Sequence, residues 1–122
     1  MRRLITAAGP FYIFAGLLHF VMPKVYMRIM PRWLPAHREL VYASGVAEAL
    51  GGAALLHPDP RVRRAGGYLE AATMVGVFPA NVNMCLNHED FSDVPGGLPA
   101  MVARLPLQVL FIAWALAAGS RD

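Results

Sequence analysis

Four long apolar runs decide what this sequence can fold into: Leu4 to Met22, Leu40 to Leu56, Ala65 to Leu86 and Ala100 to Ala118. Each holds about 17 to 22 residues, close to the roughly 20 that a helix needs to cross a hydrocarbon core of about 30 Å. Lipid offers nothing to an open strand edge, so the runs are expected as helices. Only 16% of the residues are charged, against about 25% in soluble domains. The runs therefore predict an all-α fold, a four-helix transmembrane bundle with antiparallel up-down topology. Residues 1–122 form a single integral membrane domain in the lipid bilayer. The first run continues past the small residues Ala7, Ala8 and Gly9, so it is expected as a retained span and not a cleaved leader.

The connections differ in character. Pro23 to Glu39 mixes Tyr26, Trp33, Met27 and Met30 with Lys24, Arg28 and Arg32, the chemistry of the headgroup zone. It predicts a short interfacial helix between the first and second spans, with a solvated loop as the plainer alternative. His57 to Arg64 reads as a tight polar turn, and Asn87 to Pro99 as an acidic loop. With the first residue inside, Arg2, Arg3, Arg61, Arg63, Arg64 and Arg121 face the cytoplasm, and Lys24, Arg28, Arg32 and Arg38 face out. The excess of basic residues inside predicts cytoplasmic N- and C-termini. The basic residues sit at the ends of apolar runs and form no stripe, which argues against nucleic acid as a partner.

Depth can be counted at about 1.5 Å per residue. Glu48 then lies about 12 Å below the outer surface, Arg104 about 6 Å and Gln108 about 12 Å, with His19 one turn from the outer end of its span. Asn81 and Asn83 fall in the last turns of the third span. Thus His19, Glu48, Asn81, Arg104 and Gln108 share one layer, contributed by four helices. An ionisable residue inside a membrane is a candidate functional group whose partner must be named. Arg104 is the expected partner of Glu48, with Gln108 and Asn81 completing the hydrogen bonds. Pro79 and Pro106 free the carbonyls of Val75 and Val102 beside this layer. Glu70 is expected to snorkel from near the cytoplasmic end of the third span. Gly45, Gly51, Gly52, Gly66 and Gly67 let helices approach closely, and such surfaces also admit a homodimer.

His19 and His88 have no second ligand at helical spacing, so no metal site is expected. The single cysteine, Cys85, excludes an intrachain disulfide and a cysteine zinc site, and reads as packing.

The segments AGLLHFVMPKVYMRIMPRWLPAHRELVYASGVAEALGGAALL, VFPANVNM and RLPLQVLFIAWAL, in that order and spacing, resemble the DoxX-like family of small four-helix bacterial membrane proteins (the DoxX/DoxD group). The resemblance runs from about Ala15 to Leu116. It implies the bacterial inner membrane, and association with oxidoreductase assemblies such as the thiosulfate:quinone oxidoreductase to which the DoxD subunit belongs. With one cysteine, any thiol chemistry would need a partner subunit to supply the thiols. The residues that carry over are His19, Glu48, Asn81, Arg104 and Gln108.

The leading expectation is a quinone- or lipid-facing subunit that supports a membrane oxidoreductase system, with quinone as the cofactor it suggests. Arg104 and Gln108 would donate to a head-group oxygen, Glu48 would hold Arg104 and relay a proton, and His19 would sit at the exit. Two alternatives stand beside it. One is a non-enzymatic carrier or binder of a small hydrophobic molecule. The other is a structural membrane subunit with an inert buried ion pair.

Overall fold

A computed structural model describes residues 2–30, 32–91 and 96–120. Pro31, Arg121 and residues 92–95 of the expected acidic loop lie outside the described residues. Every regular element among the described residues is helical. The first apolar run forms α1 (Arg2–Thr6) and α2 (Ala8–Val21), and α3 (Pro23–Ile29) follows as the expected short helix. The other runs form α4 (His37–Leu55), α5 (Pro60–Leu86) and α6 (Gly97–Gly119), with a 3-10 turn at His88–Phe91 before α6.

Local chemistry explains these bounds. Proline opens α3 and α5, where its missing N–H would have no partner anyway. Asp59 caps α5 by accepting from the Arg61 backbone N–H at 2.9 Å. That cap starts α5 five residues before the apolar run. The buried Arg63 then ties the α4–α5 turn together by donating to the His57 and Pro58 carbonyls at 2.9 and 2.8 Å. Gly96, at φ 87°, sits in the left-handed region just before α6, where any side chain would be strained. The first run divides at Ala7 because Pro10 has no N–H for the Thr6 carbonyl.

Among the described residues, two helical stretches are long and apolar enough to cross a membrane by themselves, Arg3–Val21 and Gly97–Gly119. The other two expected spans carry one acid each, Glu48 and Glu70, and α4 and α5 start before them, taking in Arg38 and Glu39 and Arg61, Arg63 and Arg64.

The helices pack in series, α2 on α4, α4 on α5 and α5 on α6. Tyr12 and Trp114 help to close the series, Tyr12 Oη donating to the Phe111 carbonyl at 2.7 Å and Trp114 Nε1 to the Leu4 carbonyl at 2.8 Å. A core of Ala8, Tyr12, Leu55, Met74, Ala115 and Ala118 lies where these elements meet. A second cluster joins Met84, Phe91 and Met101, with Cys85 packed against it. The outer surface is apolar on every long helix: Phe14 and Leu17 on α2, Val46 and Leu50 on α4, Leu69 and Val75 on α5, and Val109 and Leu110 on α6 are exposed.

Candidate functional site

The polar side chains point the other way. His19, Glu70 and Gln108 are buried, and the Glu48 side chain is only 13% exposed. They fall into separate groups.

The first group joins α2, α3 and α4. His19 Nδ1 lies 2.9 Å from the Ala15 carbonyl, which can only accept, so Nδ1 carries the hydrogen. Nε2 is thereby left facing Glu48, whose Oε2 is 3.6 Å away. The His19 ring stacks on Tyr26 with centroids 4.0 Å apart and planes 13° from parallel. The non-helical backbone at Met22, the residue before Pro23, separates α2 from α3, which carries Tyr26. Burial pushes the Tyr26 hydroxyl above the ordinary tyrosine range, and the Glu48 carboxylate adds to the shift. The pair sits on a tight seam. A Cβ at Gly45 would lie 2.7 Å from His19 Cβ and 2.9 Å from the Gly16 carbonyl oxygen. Glycine at both positions is what brings His19 and Glu48 together.

The second group joins α5 and α6. Asn81 Nδ2 donates to Gln108 Oε1 at 2.9 Å, and Gln108 Nε2 donates to the Met74 carbonyl at 2.8 Å. The sequence places Asn81 and Gln108 around a Glu48–Arg104 pair, and the structure joins them to each other instead. The amide acts on Met74, one residue before the expected Val75. Both ends of Gln108 are thus committed within the protein.

Arg104 is not brought to Glu48. Its backbone position on α6 leaves the residue exposed, and its guanidinium leans on the Met84 sulfur at 3.6 Å. The expected Glu48–Arg104 ion pair is replaced by His19–Glu48. Counting residues fixes height along a helix but not the direction a side chain takes around it, and Pro106 lies between Arg104 and Gln108.

Glu70 also departs from expectation. It is 0% exposed, packed against Gly51 at the α4–α5 seam. Its oxygens make no hydrogen bond of good geometry, although the Gly52 backbone N–H lies beside them. Because α5 begins at Pro60, Glu70 sits about 15 Å into the helix instead of one turn from its end. The signal was present in the sequence: an Asp-Pro start ten residues upstream, and small residues, Ala71 and Ala72, on its far side. The Tyr26 stack had no comparable signal, since it depends on how the chain turns between α2 and α3.

The model of one protein family, described as a domain of unknown function (DUF8561), matches residues 8–119. No curated protein and no solved structure matches the chain.

Proposed function

We propose, for a chain that belongs to the DUF8561 family, an integral membrane protein with four antiparallel spans that holds the head group of a small amphiphile, such as a quinone, against His19 and Glu48. The observation that carries the membrane reading is the inverted surface. Large apolar side chains of α2, α4, α5 and α6 face out, while His19, Glu70 and Gln108 are buried. In water such continuous apolar surface would mark an aggregation liability, and in lipid it is the expected exterior. The antiparallel course is supported by the contacts that pair rising with falling residue numbers: Gly9 with Gly52 and Gly16 with Gly45, then Gly51 with Glu70 and Ala54 with Gly66. Both termini lie on the cytoplasmic side in this reading, from the arginine count alone.

His19 and Glu48 are the interior groups with exchangeable protons that face each other. Nδ1 is fixed by Ala15, so Nε2 and the carboxyl can share a single proton and present it to a ligand oxygen. Gln108 and Arg104 drop out of the ligand role, the first because its amide is committed and the second because it faces outward. Support of a membrane oxidoreductase system, as the DoxX-like resemblance implies, remains part of the proposal and rests on that resemblance.

The test is gentle extraction from the native membrane and mass spectrometry of what accompanies the protein. A stoichiometric quinone or related amphiphile, lost in both Glu48→Gln and His19→Gln, is the expected result. Retention of the amphiphile in both variants would refute the site.

A second reading has its own observation. The pair lies on a glycine seam with little slack, as a register device would. It predicts that a His19→Leu, Glu48→Leu double variant assembles normally while either single change does not.

A further inference from the structure

The site proposed above leaves a buried acid unused. Glu70 is 0% exposed, and neither carboxyl oxygen makes a hydrogen bond of good geometry among the described residues. It lies where α4 and α5 pack closely. A Cβ at Gly51 would fall 2.9 Å from Glu70 Cγ, and one turn earlier on α5 a Cβ at Gly66 would fall 2.8 Å from the Gly51 carbonyl oxygen and from Ala54 Cβ. The ionisable groups around it are turned elsewhere. On α5, Arg63 lies two turns back and donates to the His57 and Pro58 carbonyls. On α2, His19 faces Glu48, and the Tyr12 hydroxyl donates to the Phe111 carbonyl. On α4, Glu48 lies a turn before Gly51, but it is a second acid and no counter-ion. On α6, the stretch between the Gln108 and Ala115 contacts, Val109 to Trp114, has no ionisable side chain. The chain after α3 and the 3-10 turn meet α5 at its far end, beside Asn83 and Asn87. A carboxylate shut into such a seam with neither cation nor donor is costly, in lipid above all. The same carboxyl with its proton is a neutral group.

We propose that Glu70 is a proton-binding site that latches α4 to α5. With its proton the side chain is a neutral acid that fits against Gly51. When the proton leaves, the O–H bond breaks, its electron pair stays on the carboxylate, and the charge drives the seam apart to reach water. The latch acts on the proposed ligand site, because α4 carries both Gly51 and Glu48, so a looser seam shifts one side of the His19–Glu48 pair. That consequence rests on the reading above, whereas the latch itself needs only the burial of Glu70.

The experiment uses the full chain in a neutral detergent and reads two quantities. Infrared spectra at neutral pH should show the carbonyl stretch of a protonated carboxyl, and Glu70→Gln should remove a part of that band that Glu48→Gln leaves. The second quantity is the unfolding midpoint against pH. Stability is present while Glu70 holds its proton and is lost as rising pH removes it. The midpoint of the full chain should therefore fall by about 5 °C or more between neutral and strongly alkaline pH. Glu70→Gln, neutral at every pH and of the same shape, should abolish most of that fall. Other groups that ionise in alkali, the tyrosines and Lys24 included, are present in both proteins and cancel. Glu70→Met, uncharged and of similar length, repeats the measurement if the amide variant does not assemble. An infrared band unchanged in Glu70→Gln, or an alkaline fall as large in the uncharged variants as in the full chain, overturns the proposal. Retention of the amphiphile in Glu48→Gln and His19→Gln would refute the ligand site separately and leave both results at Glu70 standing.

Discussion

The α2–α4 seam and the α5–α6 seam solve the same packing problem with different chemistry. On α2–α4 the helices meet closely: Gly9 and Gly16 face Gly52 and Gly45, and an added Cβ at any of them would fall 2.6 to 2.7 Å from its nearest neighbour. On α5–α6, Gly67 and Gly119 bring one end together, but farther along Pro79 and Pro106 interrupt both helices. There Asn81 donates to Gln108 and Gln108 to the Met74 carbonyl, which ties the two helices together. The difference separates two uses of a buried polar group. An amide beside a proline kink is occupied with its own helices. A histidine and a carboxylate held by an intact glycine seam face each other and have no such duty.

The sharpest way to break the comparison is Gly52→Leu. Its Cβ would meet the Gly9 carbonyl oxygen at 2.7 Å and the Ile13 nitrogen at 2.8 Å, backbone atoms that cannot turn aside. A loss of about 3 kcal/mol or more is expected. Thermal unfolding in detergent checks it, and a midpoint close to that of the unmodified protein would mean that α2 and α4 are not in backbone contact. Next in size is Gln108→Leu. It removes the bond to the Met74 carbonyl and leaves the half-buried Asn81 amide without Gln108, a loss of about 1 to 3 kcal/mol. Because the amide is structural, this variant should keep any amphiphile that co-purifies, whereas Glu48→Gln should lose it at little cost in stability.

The two seams were unequally legible in the sequence. The close-approach glycines of α4 and α5 follow from the sequence, and so does the common layer of Asn81 and Gln108. The partner of Glu48 does not. Depth puts Glu48 and Arg104 in one layer, but a contact also needs both side chains to point at one another. Arg104 is turned outward on α6, while the break at Met22 separates α2 from α3, whose Tyr26 stacks on the His19 ring beside Glu48. Glu70 departs from expectation for a simpler reason: the apolar run starts at Ala65, but the helix starts at Pro60.

Tyr12→Phe sharpens the comparison with a smaller effect, because Tyr12 belongs to both seams. It is 0% exposed on α2, and its hydroxyl donates to the Phe111 carbonyl of α6 at 2.7 Å. Removing that oxygen leaves the ring contacts with Phe11 and Trp114 in place. The loss should be about 0.6 to 1.7 kcal/mol, the range for hydrogen bonds between helices in membranes. Chemical unfolding curves of the two proteins would measure it. No change would mean that the α2–α6 closure rests on ring packing alone.

Gly76→Ala gives the smallest effect and the opposite sign. Gly76 lies on α5 between Gly67 and Pro79, yet a Cβ there would meet nothing within 4 Å. Alanine frees the helix from the entropy cost of glycine, so a gain of up to about 1 kcal/mol is expected. Gly67→Ala, nine residues earlier, should instead lose stability, because its Cβ would lie 2.8 Å from the Ala115 carbonyl oxygen. The same substitution on one helix thus distinguishes a glycine that makes a seam from one that does not. If both variants lost stability alike, some surface would have to lie against Gly76. In a bundle whose own helices leave that position open, a second copy of the chain is the surface that a small residue there would admit. Measuring the oligomeric state of Gly76→Ala beside its unfolding would then tell a strained helix from a disrupted dimer.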